Sequence, residues 1–203
     1  MLLCSRKMED KVSNGKAGRD TPPENDKVMT PAGLAQQCLD IVSPYFRHGE
    51  KFLEPCKGTG VFYNLLPDNK DWCEIDEGRD FLEYNERVDW IITNPPFSVY
   101  EEFLAHSLEL ADNVVFLVPL SKIWSSLRRV KMIDDYGGIR HLHTFTNGAR
   151  KFGFPFGFPM CLLWVKRDYK KAPVFSGALK QGATNNKKTI DIERQDGYAY
   201  VSQ

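Results

Sequence analysis

The sequence predicts an α/β protein, a single open, mostly parallel sheet flanked by helices. Three observations lead there. Short apolar runs recur at 51–54, 72–76, 88–93, 113–118 and 160–165. Segments with helical spacing lie between several of them. Polar, Gly-rich or Pro-rich turns close the first three runs. In such sheets ligands bind beyond the carboxyl ends of the strands, where the strand order switches.

Each element has a local reason. Residues 1–27 are polar, carry a Pro-Pro pair and read as a flexible arm. Thr30 is placed to cap a helix and Pro31 to occupy its first position. Leu34, Ala35, Cys38, Leu39 and Val42 then recur at helical spacing, and Pro44 ends the helix. A buried strand at 51–54 runs into the tight turn 55–60, and 61–66 starts a second helix. Strands follow at 72–76 and 88–93. The helix at 101–111 puts Phe103, Leu104, Leu108 and Ala111 on one face. A strongly apolar strand spans 113–118. A helix over 126–136 ends at Gly137-Gly138, and strands follow at 139–145 and 160–165. Between these last two lies the aromatic run Phe152-Gly-Phe-Pro-Phe-Gly-Phe-Pro159. The folded domain spans 28–168, and 169–203 reads as a polar tail.

The 203 residues are 42% hydrophobic and 27% charged, ordinary for a globular chain with a real core. No run of about 18 apolar residues predicts a membrane span, and the first residues lack the apolar core of a signal peptide. The five cysteines contain no C-x-x-C pair, so free thiols in a reducing cytoplasm are expected. The four histidines show no metal-ligand spacing, and no metal site is expected. Net charge is zero but unevenly spread. Residues 1–118 hold 12 Lys/Arg against 21 Asp/Glu, whereas 119–189 hold 14 against 3. A basic second half suits a polyanion, and equally a solvated surface.

The chemistry concentrates at strand ends. The strand at 88–93 ends in Asn94-Pro95-Pro96-Phe97. The prolines fix two φ angles and remove two backbone donors. What remains is a stiff loop of acceptors, the Asn94 side-chain oxygen and the Pro95 carbonyl, beside the flat face of Phe97. That set suits a planar group bearing an NH2, such as the exocyclic amine of adenine; a plain Pro-rich turn is the other reading. Gly58 and Gly60 let a ligand or a helix approach the turn at 55–60, which lacks the Lys-Ser/Thr ending of a phosphate loop. Glu74, at the end of the next strand, has the position of a ribose-binding carboxylate, with Ile75 beside it to pack on a base.

In order, Thr30-Pro31, Phe52-Leu53-Glu54-Pro55-Cys56-Lys57-Gly58-Thr59-Gly60, Cys73-Glu74-Ile75-Asp76, Asp80-Phe81 and Asn94-Pro95-Pro96-Phe97 resemble the S-adenosylmethionine-dependent amino-methyltransferases that make N6-methyladenine. The continuation Phe97-Ser98 resembles the small adenine-specific DNA methyltransferases of phages and restriction systems. The resemblance covers about 28–165. It implies a Rossmann-like class I methyltransferase fold, with 28–168 as the catalytic domain.

The resemblance also implies roles. Thr30 and Pro31 would contact the methionine moiety of S-adenosylmethionine, and Glu54, Pro55, Cys56, Gly58 and Gly60 would hold that end. Glu74 would take the ribose and Ile75 the cofactor adenine, with Asp80 and Phe81 at the adenine edge. Asn94, Pro95 and Pro96 would present the catalytic loop and Phe97 would stack on the target base. Phe152 or Phe154 would supply a second ring, and Arg128, Arg129, Lys131, Arg150 and Lys151 would meet phosphates. The implied substrate is adenine N6 in DNA, in a bacterial or phage-infected cytoplasm. Adenine in RNA, a protein glutamine and a silent cofactor-binding subunit are the alternatives. Only five residues separate Glu74 from Asp80, too few for a crossover helix, which must be absent or reduced to a turn. No large target-recognition domain follows residue 165, so short or relaxed sequence specificity, or a partner that supplies it, is expected, and a homodimer is the other partner expectation.

Overall fold

The computed structural model describes residues 28–145, 148–155 and 157–177. The arm at 1–27 and the tail beyond 177 lie outside the described residues. Seven strands form one sheet in the order β2-β1-β3-β4-β6-β5-β7. They are β1 (Phe52–Glu54), β2 (Lys70–Trp72), β3 (Val88–Thr93), β4 (Ala111–Pro119), β5 (Gly137–Phe145), β6 (Met160–Arg167) and β7 (Val174–Gly177). The pairs β1/β2, β1/β3, β3/β4 and β5/β7 are parallel, and β6 is antiparallel to both its neighbours. The expected open, mostly parallel sheet is what forms.

Period-2 alternation divides the core into two layers. Phe52, Trp90, Ile92, Val115, Leu117, Leu162 and Trp164 face α1 (Ala32–Val42), which contributes Leu34, Ala35, Cys38, Leu39 and Val42. Leu53, Ile91, Val114, Phe116, Leu163 and Val165 face the other side. There α2 (Tyr100–Leu110) supplies Phe103, Leu104 and Leu108, and α4 (Leu127–Tyr136) supplies Ile133. Two short helices, α3 (Leu120–Trp124) and α5 (Gly148–Lys151), flank these elements. Among the described residues no helix is long and apolar enough to cross a membrane.

Several boundaries differ from expectation. Pro31, not Thr30, is the half-helical capping residue: its ψ is 140°, its carbonyl accepts from Leu34 and Ala35, and the helix starts at Ala32. The helix expected at 61–66 is only a 3-10 turn, Tyr63–Leu65, because Pro67 follows Leu66 and excludes it from the α region. The second strand runs Lys70–Trp72 and stops before Glu74, whose carboxylate takes the Asp76 N–H and turns the chain out of the sheet. Between Glu74 and Asp80 a 3-10 turn, Ile75–Glu77, replaces the crossover helix, and Gly78 closes it at φ 77°. The segment read as tail contributes β7, a four-residue edge strand with Val174 and Phe175 exposed.

Gly137 ends α4 and begins β5. A Cβ there would lie 2.3 Å from the Lys166 carbonyl oxygen and 2.5 Å from the Asp168 nitrogen, both backbone atoms of the neighbouring strand and its turn. Gly137→Ala is therefore expected to cost about 3 kcal/mol, seen as a lower urea midpoint. An unchanged midpoint would show that the β5/β6 contact can spread.

Candidate active site

The strand order reverses between β1 and β3, since β1 runs on to β2 on one side and β3 pairs on the other. A crevice opens beyond their carboxyl ends, as expected at a switch point. It encloses about 520 Å³. Pro55, Cys56, Gly58, Glu74, Ile75, Asp80, Phe81, Asn94 and Pro96, drawn from four separate motifs, meet in its wall. A recess of about 40 Å³ adjoins it through Cys56, Gly58 and Asn94 and is lined by Thr30 and Glu54. Pro31, Gly60, Pro95 and Phe97 are not among the residues that line either cavity.

Hydrogen bonds lock the turn after β1. The Gly58 N–H donates to Glu74 Oε2 at 2.7 Å, tying that turn to the end of β2. The Gly60 N–H donates to the Lys57 carbonyl at 2.7 Å. Gly58 has φ 50°, and a Cβ there would stand 3.1 Å from Met29 Sδ, so glycine fits and a larger residue would press on the cavity roof. Lys57 pairs with Glu77 at 2.6 Å and lies 3.5 Å from the centre of the Trp72 ring. Glu74 Oε1 accepts from Asp76 N at 3.3 Å. Ile75, 39% exposed, offers an apolar face at the lip. Asp80 Oδ1 accepts from Leu82 N at 2.9 Å, and Phe81 is buried against Phe103 and His106.

Glu54 is buried and accepts from the Tyr63 N–H. Burial first, and the Glu74 charge after the opposing Tyr63 bond, push its carboxyl up to about 9. It therefore keeps a proton near neutral pH. An unfolded chain releases that proton near pH 4.5, so this group's contribution to stability is full below that pH and falls as pH rises toward 9. Between pH 7.0 and 8.5 the chain should lose up to about 1.4 kcal/mol of stability per pH unit from this group. Glu54→Gln should remove that slope in urea titrations. An identical slope in the variant would show that Glu54 ionises freely.

The catalytic-loop candidates are held from two sides. Asn94 Nδ2 donates to the Val28 carbonyl at 3.2 Å. This fixes the amide so that Oδ1 is the remaining acceptor, and Oδ1 is buried with no hydrogen-bond partner among the described residues. Lys122 Nζ donates to the Phe97 carbonyl at 2.9 Å. With both prolines lacking N–H groups, a donor from outside the loop is what can secure it. Phe97 is half-buried and packs against both core layers. Val28 and Lys122 carry no motif of their own, which is why sequence reasoning missed them.

The aromatic loop corrects an expectation. Gly153 takes φ 84°, and the chain turns Phe154 into the core, where only 2% of it is exposed. Unlike Phe81, it lines neither cavity of the site. Phe152 is half-buried against the same core, 3.1 Å from the position of a Cβ on Gly33. Phe158 is 41% exposed, and the next residue, Pro159, accepts from Leu120 N at 3.0 Å beside α3. Lys151 is exposed. Arg128 and Arg129 both reach Glu101 at 3.1 Å. Arg129 also donates to the Lys122 carbonyl and Ser125 Oγ, so its guanidinium braces α2, α3 and α4.

No protein-family model and no curated protein matches the sequence. Solved structures do match. A Listeria monocytogenes protein described as a class I S-adenosylmethionine-dependent methyltransferase gives a TM-score of 0.61 at 13% identity, covering 76% of this chain and 67% of that one. A Pyrococcus horikoshii protein described as an RNA methyltransferase gives 0.54 at 19% identity, covering 71% and 89%. The fold is that of a Rossmann-like class I methyltransferase. A Vibrio vulnificus protein described as the modification subunit of a type I restriction enzyme gives 0.50 at 15% identity, covering 77% of this chain and 48% of that subunit. Within this methyltransferase fold, the crevice at β1 and β3 is the place where the motif residues gather, and the Asn94 loop forms its edge.

Proposed function

We propose that this chain transfers a methyl group from S-adenosylmethionine to the exocyclic N6 of adenine in DNA. The observation that carries the reading is Asn94 Oδ1. It is a buried acceptor without a partner among the described residues, fixed in orientation by Val28 and set at the edge of a cavity of about 520 Å³.

The residues present fit the cofactor. Glu74 carries a carboxylate already placed by two backbone N–H groups, with oxygen lone pairs left for ribose hydroxyls. Ile75 and Phe81 give the adenine an apolar slot, and Asp80 gives an acceptor at its edge. Thr30 and Glu54 line the recess suited to the methionine end. When bound, S-adenosylmethionine supplies a methyl group already activated on sulfonium. The chain therefore has to position and polarise. The Asn94 oxygen and the Pro95 carbonyl accept from the two amine hydrogens, which draws the nitrogen lone pair out of the ring and aims it. The loop cannot relax away from this shape, because two prolines and the Lys122 bond hold it. Phe97, and Phe158 in place of Phe154, are the rings proposed to flank the extruded base.

The likeness to a modification subunit of a restriction enzyme favours DNA. The Pyrococcus likeness keeps adenine in RNA as the second reading. Incubation of the protein with S-adenosylmethionine and unmethylated duplex DNA, denatured DNA or RNA, followed by digestion and mass spectrometry, tests both. N6-methyldeoxyadenosine supports the first, N6-methyladenosine in RNA alone moves the assignment to the second, and silence in every pool rejects both.

A further inference from the structure

We propose that Glu102 joins Asp80 in holding the exocyclic amine of the cofactor's purine, so that the crevice selects a 6-amino purine over a 6-oxo one. The inference rests on the S-adenosylmethionine reading of the crevice. It adds a specificity-determining residue that none of the sequence motifs contains.

Five carboxylates line the crevice, Glu74, Asp76, Glu77, Asp80 and Glu102, and its lining holds no lysine, arginine or histidine. The Asn94 amide could donate, but its Nδ2 is committed to the Val28 carbonyl. Such a wall accepts hydrogen bonds, and it suits a ligand rich in N–H and O–H groups over one that presents oxygens. Glu74 already accepts from Gly58 N and Asp76 N, Glu77 pairs with Lys57, and Asp80 accepts from Leu82 N. The Glu102 carboxylate makes no ion pair among the described residues.

Glu102 stands on the first turn of α2. Val99, Glu102 and Phe103 are three and four residues apart, share one face and line the crevice together. The adjacent Glu101 is held toward α4, where Arg128 and Arg129 both reach it at 3.1 Å. One of the two neighbouring carboxylates thus braces the fold, and the other is left to the crevice. The ring centres of Phe103 and Phe81 are 4.9 Å apart, and the 3-10 turn Phe81–Glu83 packs on α2. Asp80 precedes one of these rings and Glu102 precedes the other. Both acids therefore enter the wall at the seam where the turn meets the helix.

An exocyclic amine has two hydrogens, and two carboxylates at one seam can accept both. Phe81, Val99 and Phe103 give the plane of the ring an apolar surface to lie on. A 6-oxo purine presents an oxygen at the same position, facing two negative charges with no donor beside it. An acid in the first turn of a helix is also favoured by the helix dipole. That effect acts on stability and treats the two purines alike, so a ratio of ligand affinities separates it from recognition.

Calorimetric titrations of the wild type, Glu102→Gln and Glu102→Ala with S-adenosylhomocysteine and with S-inosylhomocysteine, its 6-oxo counterpart, test this. The wild type should prefer the adenosyl compound by about 100-fold. Glu102→Gln should reduce that preference by about 10-fold, chiefly by binding the inosyl compound better, because its amide N–H donates to the oxo group. Glu102→Ala should weaken binding of the adenosyl compound without that gain. A wild type that binds both compounds equally, or variants that keep the full preference, would overturn the role of Glu102 and leave the cofactor reading standing. A wild type that binds neither compound would reject the cofactor reading and the inference with it.

Discussion

Asn94→Ala is expected to lower methyl transfer by about 100-fold or more while leaving the affinity for S-adenosylmethionine nearly unchanged. The size follows from what one preorganised polar contact is worth in a water-poor site. Asn94 Oδ1 is already buried and already oriented, because Nδ2 is committed to the Val28 carbonyl. Alanine removes that acceptor outright. The cofactor side of the crevice, from Gly58 to Phe81, does not depend on that oxygen. Turnover at saturating cofactor and a calorimetric titration, run together, separate the two effects. Unchanged turnover would remove the Asn94 loop from the chemistry.

Glu74→Ala should do the opposite, weakening S-adenosylmethionine binding by about 100-fold with a much smaller change in turnover at saturation. Hydrogen bonds to a charged group contribute about 1.5–3 kcal/mol, and each 1.4 kcal/mol is tenfold in affinity. Glu74 is proposed to take both ribose hydroxyls. It also accepts from the Gly58 N–H at 2.7 Å, so its loss loosens the glycine turn that the cofactor would lie against. Equal dissociation constants for variant and wild type would place the ribose elsewhere.

Much of this site was legible from residue types at strand ends. Gly58, Glu74 and Asn94 are separated by 16 and 20 positions in the chain, yet each follows a strand of one sheet, so the topology alone brings them to one crevice. The five-residue gap before Asp80 already required the missing helix, and a 3-10 turn fills it. Other features could not be read. Four phenylalanines at alternate positions between 152 and 158 look alike in sequence. Only the φ of Gly153 decides that Phe154 goes inward. Lys122 and Val28 act through one hydrogen bond each, across 25 and 66 positions, and such bonds leave no periodicity. Arg129 looked like a phosphate ligand because charge alone cannot distinguish a solvent-facing guanidinium from one pinned to Glu101. Strand β7 escaped notice because its four residues, Val-Phe-Ser-Gly, are too few to show a period.

The position of β6 has a consequence for how the protein is made. A ribosome delivers β4 about forty residues before β6, yet β6 is the strand that covers the edge of β4, through seven consecutive paired positions from Asn113/Lys166 to Pro119/Met160. During that interval Val-Val-Phe-Leu-Val, apolar on both faces, presents an open edge to the cell. Nascent chains that stall in this window, and proteolytic fragments that end before Met160, carry a template for intermolecular pairing. The edge of β4 is therefore closed only once β6 has been delivered.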